Sequence, residues 1–363
     1  IKNIMTVCIL GNSLTALTLA KALVNYEIDV DLIFNKKNYK INDSRTIGIS
    51  RNNVDFFNSN IINIEKLIWN IKAIEIFSEN LKKEKLINFK ADKYQLFSII
   101  KNDKLYQLLA KDLSKSKFFR SKFSTKKNFS FLNKYELVLN CDPFNFIARR
   151  YFNKKISKKY NSTAFTTIIS HDEIINDTAI QVFTKKGPLA FLPISNKKTS
   201  IVYSVHNSKN IEEENIKELI KDKNFKYKIR ELEKIKSFEL KSFNLRSYYY
   251  KNILAFGDLL HKVHPLAGQG FNMTIRDIKI LSQIIKNKLD LGLLLDSSVS
   301  LEFQKKIKHK NFIFSNGIDL VHEFFNIERK TKTNFLSKSV KLVVNQPSIN
   351  GVFTKIADKG LLF

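Results

Sequence analysis

Between residues 253 and 277 the chain reads ILAFGDLLHKVHPLAGQGFNMTIRD, and the side chains in it that can do chemistry come at short intervals. Asp258 follows Gly257 at the end of an apolar run. A carboxylate placed there can accept hydrogen bonds from a sugar or polyol. Gly268 and Gly270 flank Gln269, and glycine backbone lets N–H groups approach a flat or anionic group closely. A helix begins near Asn272, with Ile275, Ile278, Leu281 and Ile284 on one face. Its N-terminus adds the positive end of the helix dipole. His261 and His264 are close enough to suggest a metal pair. No acidic or cysteine partner lies nearby, so a capping or packing role is expected and no metal site. The residues alone leave a second reading open, in which the glycines only shape a turn and Asp258 caps the segment after it.

Such a loop needs a strand before it, a helix behind it and a fold that holds the rest of the ligand. Residues 253–256 supply the strand. At the N-terminus, residues 4–10 form an apolar run ending in Gly11, and Leu14, Leu17, Leu19, Leu23 and Val24 continue in a helical pattern. Residues 30–34 supply a second strand, completing a β–α–β opening. In a dinucleotide fold the first turn reads G-x-G-x-x-G, so that backbone can meet the pyrophosphate and the helix can pack tightly. Here those positions hold Gly11, Ser13 and Ala16. Ala16 is small, whereas Ser13 places a Cβ where phosphate would approach. The acid expected at the end of the second strand is replaced by Phe34 and Asn35. By itself this turn fits an ordinary strand–helix junction equally well.

Further along, residues 54–61 read as a helix, 69–89 as a strand-rich excursion and 94–112 as a helix. Residues 135–140 read as a strand, as do 162–171, 178–183, 187–193 and 200–206. Residues 212–236 read as a charged, solvated helix. A long helix is expected through Phe303, Ile307, Phe312 and Phe314, and another through Ile318, Val321 and Phe325. Lysines at 305, 306, 308 and 310 give the first a basic face that could rest on lipid headgroups. The tail, residues 340–363, reads as Pro347 followed by a further helix.

A chain of 363 residues can hold two domains and a large core. No apolar run reaches about 18 residues, so no transmembrane helix is expected. The first strand pattern starts almost at once and leaves no room for a signal peptide. Cys8 and Cys141 are the only cysteines and are expected as reduced thiols. Lys and Arg number 62 against 34 Asp and Glu, a net charge of +28. Because the lysines are spread along the chain, compositional drift is the first reading of that charge. Attraction to an anionic membrane surface is a consequence of it. No zinc finger, RNP-type aromatic motif or basic heptad is visible, so nucleic acid ranks last among partners.

The ordered string G-D-x-x-H-x-x-H-P-x-A-G-Q-G-x-N, from Gly257 to Asn272, resembles the second flavin-binding signature of the flavin-dependent aromatic hydroxylases. It resembles most the branch that hydroxylates the ring of ubiquinone precursors. The resemblance implies that Asp258 holds the ribityl chain of FAD. It implies that Pro265 and the backbone of Gly268, Gln269, Gly270 and Asn272 line the isoalloxazine ring. Gly11, Ser13 and Ala16 would form the pyrophosphate turn. Residues 43–50, DSRTIGIS, resemble the family segment in which an arginine, here Arg45, reaches the flavin side. Residues 99–102 resemble a family helix start. Asp142 and Arg149 keep the spacing of a motif that touches both FAD and the nicotinamide donor in the family. Pro143 stands where that motif has glycine, and proline fixes φ near about −65° and removes an N–H, so the turn must differ.

The implied fold is α/β with α+β elements: a Rossmann-like FAD-binding domain interleaved with an antiparallel-sheet substrate domain, followed by C-terminal helices. The expected FAD-binding parts are 1–66, 90–160 and 242–290. The substrate domain takes 67–89 and 161–241, and the helical region 291–363. Its sheet would cover the flavin and roof a ring-shaped pocket. The implied activity is an FAD-dependent monooxygenase using NAD(P)H and O2 through a flavin C4a-hydroperoxide. The implied substrate is a polyprenylated phenol of ubiquinone biosynthesis. No catalytic base is assigned. The protein is expected in the cytoplasm, peripheral at the inner face of the membrane, with other ubiquinone-biosynthesis proteins as partners and no nucleic acid. The alternatives are another aromatic substrate, reduction of a prenyl chain, or a non-catalytic lipid-binding or assembly component. Ser13, the missing ribose acid and Pro143 point toward the last.

Overall fold

A computed structural model describes residues 6–35, 45–79, 85–90, 95–124, 130–206, 211–263 and 269–331. The chain opens with β1 (Thr6–Leu10), α1 (Leu14–Val24) and β2 (Asp29–Phe34). β1 is apolar on both faces, as suits a strand covered on both sides, and it pairs in parallel with β2. Next come β3 (Thr46–Ser50), α2 (Arg51–Asn60), β4 (Ile68–Ile71), β5 (Ala73–Ser78) and β6 (Lys85–Lys90). β7 (Phe97–Lys101) and α3 (Asn102–Leu113) come after them.

The helix expected over 94–112 therefore divides, and the helix starts only at Asn102. Ile99 and Ile100 point into different apolar clusters on the two sides of β7. A strand buried on both faces reads as a continuous apolar run, which periodicity alone cannot tell from a helix. β8 (Phe119–Phe123) was not expected, because its sequence FRSKF is mostly charged and polar. It forms at the sheet edge beside β2, where Arg120 Nε donates to Asp31 Oδ1 at 2.7 Å and Lys122 Nζ to Oδ2 at 3.2 Å.

The chain continues through β9 (Val138–Asn140), α4 (Phe146–Tyr151) and β10 (Lys155–His171). β11 (Thr178–Thr184), β12 (Gly187–Pro193) and β13 (Lys198–His206) come next. After them stand α5 (Glu213–Lys223), β14 (Ile229–Leu232) and β15 (Lys236–Leu245). The charged helix expected over 212–236 thus ends early. Asn224 Oδ1 accepts from the Tyr227 N–H at 3.0 Å and its Nδ2 donates to Tyr227 O at 2.6 Å, which closes a turn. Tyr227 is buried there against Phe191 and His171. β16 (Tyr249–Tyr250), β17 (Ile253–Ala255) and β18 (His261–Lys262) lead to α6 (Gln269–Asp290) and α7 (Ser297–Thr331). α7 is one helix where two were expected, and the 340–363 tail lies outside the described residues.

Three sheets result. The first runs β16-β17-β9-β1-β2-β8 and is parallel except at its β16 edge. Parallel strands need covered faces, and α1, α3 and α6 contribute to the core around Ile9, Leu19, Leu109 and Ile278. The second runs β18-β15-β10-β13-β12-β11-β5-β6 with β14 beside β10. One of its faces buries Ile180, Leu189, Ile201 and Tyr203 against Ile216 and Ile220 of α5. β3, β7 and β4 form a small third sheet. β10 and β15 run unbroken through the expected boundaries at 160/161 and 241/242. Among the described residues no helix is long and apolar enough to cross a membrane.

Asp31 is buried in β2, and besides Arg120 and Lys122 it accepts a 2.5 Å hydrogen bond from Tyr135 Oη. Desolvation pushes its acidity the other way, but the hydrogen bonds from Tyr135, Arg120 and Lys122 prevail and hold the carboxyl below its usual range. A carboxyl depressed in the folded state stabilises fully above its unfolded pKa and loses that contribution as pH falls through the folded one. Asp31→Asn is expected to cost about 2 kcal/mol at neutral pH, the loss of a charge-assisted network. In urea titrations the gap between wild type and variant should close as pH is lowered below about 4.

Candidate functional site

The carboxyl ends of β1, β9 and β17 lie side by side, joined by the hydrogen bonds from Cys141 N to Leu10 O and from Phe256 N to Asn140 O, both 2.9 Å. Ligands of open α/β sheets bind at such strand ends. Gly11 leaves β1 at φ +105°, and a Cβ on it would meet Asp142 Cβ at 3.2 Å. Gly257 comes after β17 at φ +59°, and a Cβ there would lie 2.5 Å from Thr15 Cγ2 in α1. Segments remote in sequence thus converge here: Gly11 to Ala16, Asp142, and Gly257 with Asp258. Burial is the first cause that pushes the Cys141 thiol up, and Asp258 and then Asp142 push it the same way, so both carboxylates lie around it. Asp258 is exposed and Asp142 half-buried. Burial likewise pushes Cys8 up, and both cysteines are free thiols without reactive character.

Ser13 has ordinary extended backbone, and its hydroxyl caps α1 by accepting from Ala16 N at 3.3 Å. The residue expected to crowd the turn is folded back onto the helix it begins. Ala16 is fully buried, which lets α1 pack closely. Pro143 is also accommodated. Asp142 Oδ1 accepts from Phe144 N at 2.8 Å, and Asn145 Oδ1 caps α4 through Ala148 N at 2.8 Å. Asn140 Oδ1 receives Asp142 N at 3.1 Å and Asn145 Nδ2 at 2.8 Å. This turn is made by side chains and draws nothing from an N–H at 143. Arg149 is exposed on α4.

Around α6 the picture differs from expectation. Pro265 and Gly268, with His264, lie outside the described residues, and Gln269 is the first residue of α6. The Asn272 side chain is a bolt within the protein. Its Oδ1 accepts from Ser50 N at 3.0 Å and Asn53 Nδ2 at 2.8 Å, and its Nδ2 donates to Gly48 O at 2.8 Å. That amide holds α6 to the β3–α2 junction and is not turned to a ligand. Gly270 is open: among the described residues the nearest atom to a Cβ built on it is Val263 Cγ2 at 3.9 Å. Protein packing does not require a glycine there. Arg45 is exposed where β3 begins, its carbonyl accepting from Asn102 N at 3.0 Å. Its neighbour Thr46 donates to Ser200 Oγ in β13 at 2.8 Å, which ties β3 to the large sheet.

Several residues of the site carry no signal in the sequence. His261 Nε2 donates to Asp277 Oδ2 at 2.5 Å, with both side chains buried. Asp277 also accepts from Asn311 Nδ2 in α7 at 3.4 Å. An acidic partner for His261 does exist, then, one that a separation of 16 positions along the chain hides from a motif reading. Among the described residues no group of three or more His, Cys, Asp and Glu could hold a metal. On the large sheet, the face away from α5 carries the cross-strand row Gln181–Ala190–Val202, all half-buried and uncharged. Alternation along a strand places it on the same face as Ser200, above β3. A separate cavity of about 410 Å³ lies between β10, β15 and α7, with Ile156, Phe243 and Phe312 in its wall.

The FAD binding domain family matches residues 159–290. The chain is 29% identical to 3-demethoxyubiquinol 3-hydroxylase of Escherichia coli over 157 residues, 41% of this chain and 40% of that one. It is 22% identical to the mitochondrial ubiquinone biosynthesis monooxygenase COQ6 of Drosophila melanogaster over 266 residues, 61% of this chain and 55% of that one.

The chain is similar to FAD-dependent hydroxylases over the matched residues.

It spans about half the length of these named relatives. Its fold is also that of Klebsiella pneumoniae HpxO complexed with FAD and uric acid, with a TM-score of 0.75, 13% identity and 98% of each chain covered. The p-nitrophenol 4-monooxygenase PnpA of Pseudomonas putida gives a TM-score of 0.75 at 10% identity, over 98% of this chain and 99% of that one. The residues present fit FAD. The strand ends offer exposed Asp258 and the capped start of α1. Gly11 keeps side-chain bulk off the turn, and among the described residues nothing lies closer than Val263 Cγ2, at 3.9 Å, to a Cβ on Gly270.

Proposed function

We propose that this protein is an FAD-dependent monooxygenase that adds a hydroxyl to the ring of a polyprenylated phenol in ubiquinone biosynthesis, with NAD(P)H as electron donor and O2 as oxidant. The observation that carries this is the meeting of Gly11, Asp142, Gly257 and Asp258 at the carboxyl ends of three adjacent parallel strands. The names of the two relatives support the substrate class. FAD, when bound, accepts hydride and carries the oxygen chemistry. Asp258 accepts hydrogen bonds from the ribityl hydroxyls, and the N-terminus of α1 receives the pyrophosphate. Gln269, Gly270 and Asn272 in the first turn of α6 would present backbone to the isoalloxazine ring. Gln181, Ala190 and Val202 give a flat, neutral wall that excludes water from an aromatic ring. Arg45 supplies a cation at the seam between that wall and β3. The Ser13 cap and the Asn140–Asp142–Asn145 turn support an active enzyme over a degenerate one, since two of the three departures from the family pattern have a local solution.

The division into an FAD-binding part, a substrate part and C-terminal helices belongs to the same proposal. So do the peripheral position at the membrane and the other biosynthetic partners. A lipid-tailed substrate must be collected at a bilayer, and a net charge of +28 favours an anionic one.

The purified protein should show a flavin absorption spectrum that bleaches on adding NADPH and recovers in air. A colourless sample that takes up no added FAD would refute the proposal. Asp258→Ala should weaken FAD binding roughly ten- to hundredfold, the loss of about 1.5–3 kcal/mol of charge-assisted hydrogen bonds. Because the side chain is exposed, far-ultraviolet circular dichroism should stay as in wild type. Titration with FAD, followed by flavin fluorescence, measures the difference.

A further inference from the structure

We infer that the face formed by α4 and the edge strand β16 is where this protein docks on an anionic lipid surface. The inference deepens the proposed lipid-borne substrate and rests on that reading. The Asp142 turn leads directly into α4 and leaves Phe144 71% exposed and Phe146 49% exposed. Arg150 lies 5.6 Å from the Phe146 ring and 5.6 Å from the Tyr151 ring. Tyr151 stacks on Tyr250 of β16 with centroids 4.0 Å apart, and Lys251 sits 5.7 Å from the Tyr250 ring. Helix and strand edge therefore share one continuous aromatic and cationic surface. Lys154 O accepts from Arg246 N at 3.0 Å, which brings two more exposed cations alongside.

One feature separates this face from the chain's general positive charge. Residues 143–171 and 246–257 contain no Asp or Glu. Among the described residues Arg150, Lys154, Arg246 and Lys251 are in no ion pair. Cations left free around exposed aromatic rings suit lipid headgroups, with the rings at the level of the interface. A lone exposed phenylalanine needs no explanation, but two on one turn beside free cations form a patch. The face also adjoins the cavity between β10, β15 and α7. Ile156, two residues beyond Lys154, is 48% exposed and forms part of that cavity's wall.

The test is co-sedimentation of the FAD-loaded protein with phosphatidylcholine vesicles, either neutral or carrying about one third phosphatidylglycerol. Wild type should pellet with the anionic vesicles and stay in solution with the neutral ones. Arg150→Gln with Lys251→Gln should weaken partitioning about thirtyfold, roughly fivefold for each cation lost at the surface. Phe144→Ser should weaken it with no change of charge. Lys308→Gln with Lys310→Gln on α7 removes the same charge elsewhere and should have well under a fivefold effect. Equal losses from the two double variants would overturn the inference, as would wild type that ignores anionic vesicles. So would a patch variant that keeps vesicle binding and instead loses affinity for an oligonucleotide. The flavin spectrum of each variant reports folding. A colourless wild type would sink the proposed enzyme, whereas vesicle results of the kinds just named bear on this face alone.

Discussion

Gly257→Ala is expected to destabilise the protein by about 3–5 kcal/mol and to abolish stable FAD binding, because two costs fall on one atom. At φ +59° the backbone lies in the left-handed region, where a side chain costs about 1–2 kcal/mol. The new Cβ would also lie 2.5 Å from Thr15 Cγ2. Thr15 cannot step aside, since α1 is buried along almost its whole length by the first sheet's core. The overlap must be relieved by parting α1 from the turn that carries Asp258, the two supports proposed for the cofactor. Urea denaturation reads the stability and a visible spectrum reads the flavin. Thr15→Ser removes the clashing methyl, so the double variant should recover about 1–2 kcal/mol relative to additivity. Strict additivity would mean that the overlap is not the cause.

Asp277→Ala should cost about 3–5 kcal/mol, since it leaves His261 and Asn311 without their shared partner inside the protein. The consequence reaches the cofactor loop by position. His261 lies in β18 and Asp277 in α6, so their contact ties together the two elements that flank residues 264–268. FAD affinity should fall together with stability. Asp277→Asn keeps a hydrogen-bonding oxygen and the side chain's volume, and should cost about half as much. If Asp277→Ala lowers the urea midpoint while FAD affinity stays at wild type, that contact has no bearing on the loop.

The strands and helices that carry the proposed cofactor residues were legible because each has a strong local signal. β1 and β17 are short apolar runs ended by a glycine, and α1 starts where a serine can cap it. Order along the chain was also legible, since the Gly257 to Asn272 string keeps its spacing whatever surrounds it. The misreadings share a cause. β7, buried on both faces, carried no alternation, and β8 is built from charged residues whose partner, Asp31, lies 89 residues earlier. The helix read over 212–236 failed at Asn224, where a side-chain turn overrides a charged, helix-favouring composition.

Within the site the division is sharper. The sequence by itself determined which residue types are available: a carboxylate after one strand, another after a second strand, small residues at the first turn, and a glycine at the start of α6. Only the tertiary structure decided their use. It turned the Asn272 amide into an internal bolt to Gly48 and Ser50, folded Ser13 back as a cap, and gave His261 an acid. It also set Gly11 against Asp142 across 131 positions of sequence. The reason is the range of the interactions. Backbone preference and capping act over a few residues and leave a mark at fixed spacing. A side chain's hydrogen-bond partner is chosen by which strands end side by side, and no local pattern records that.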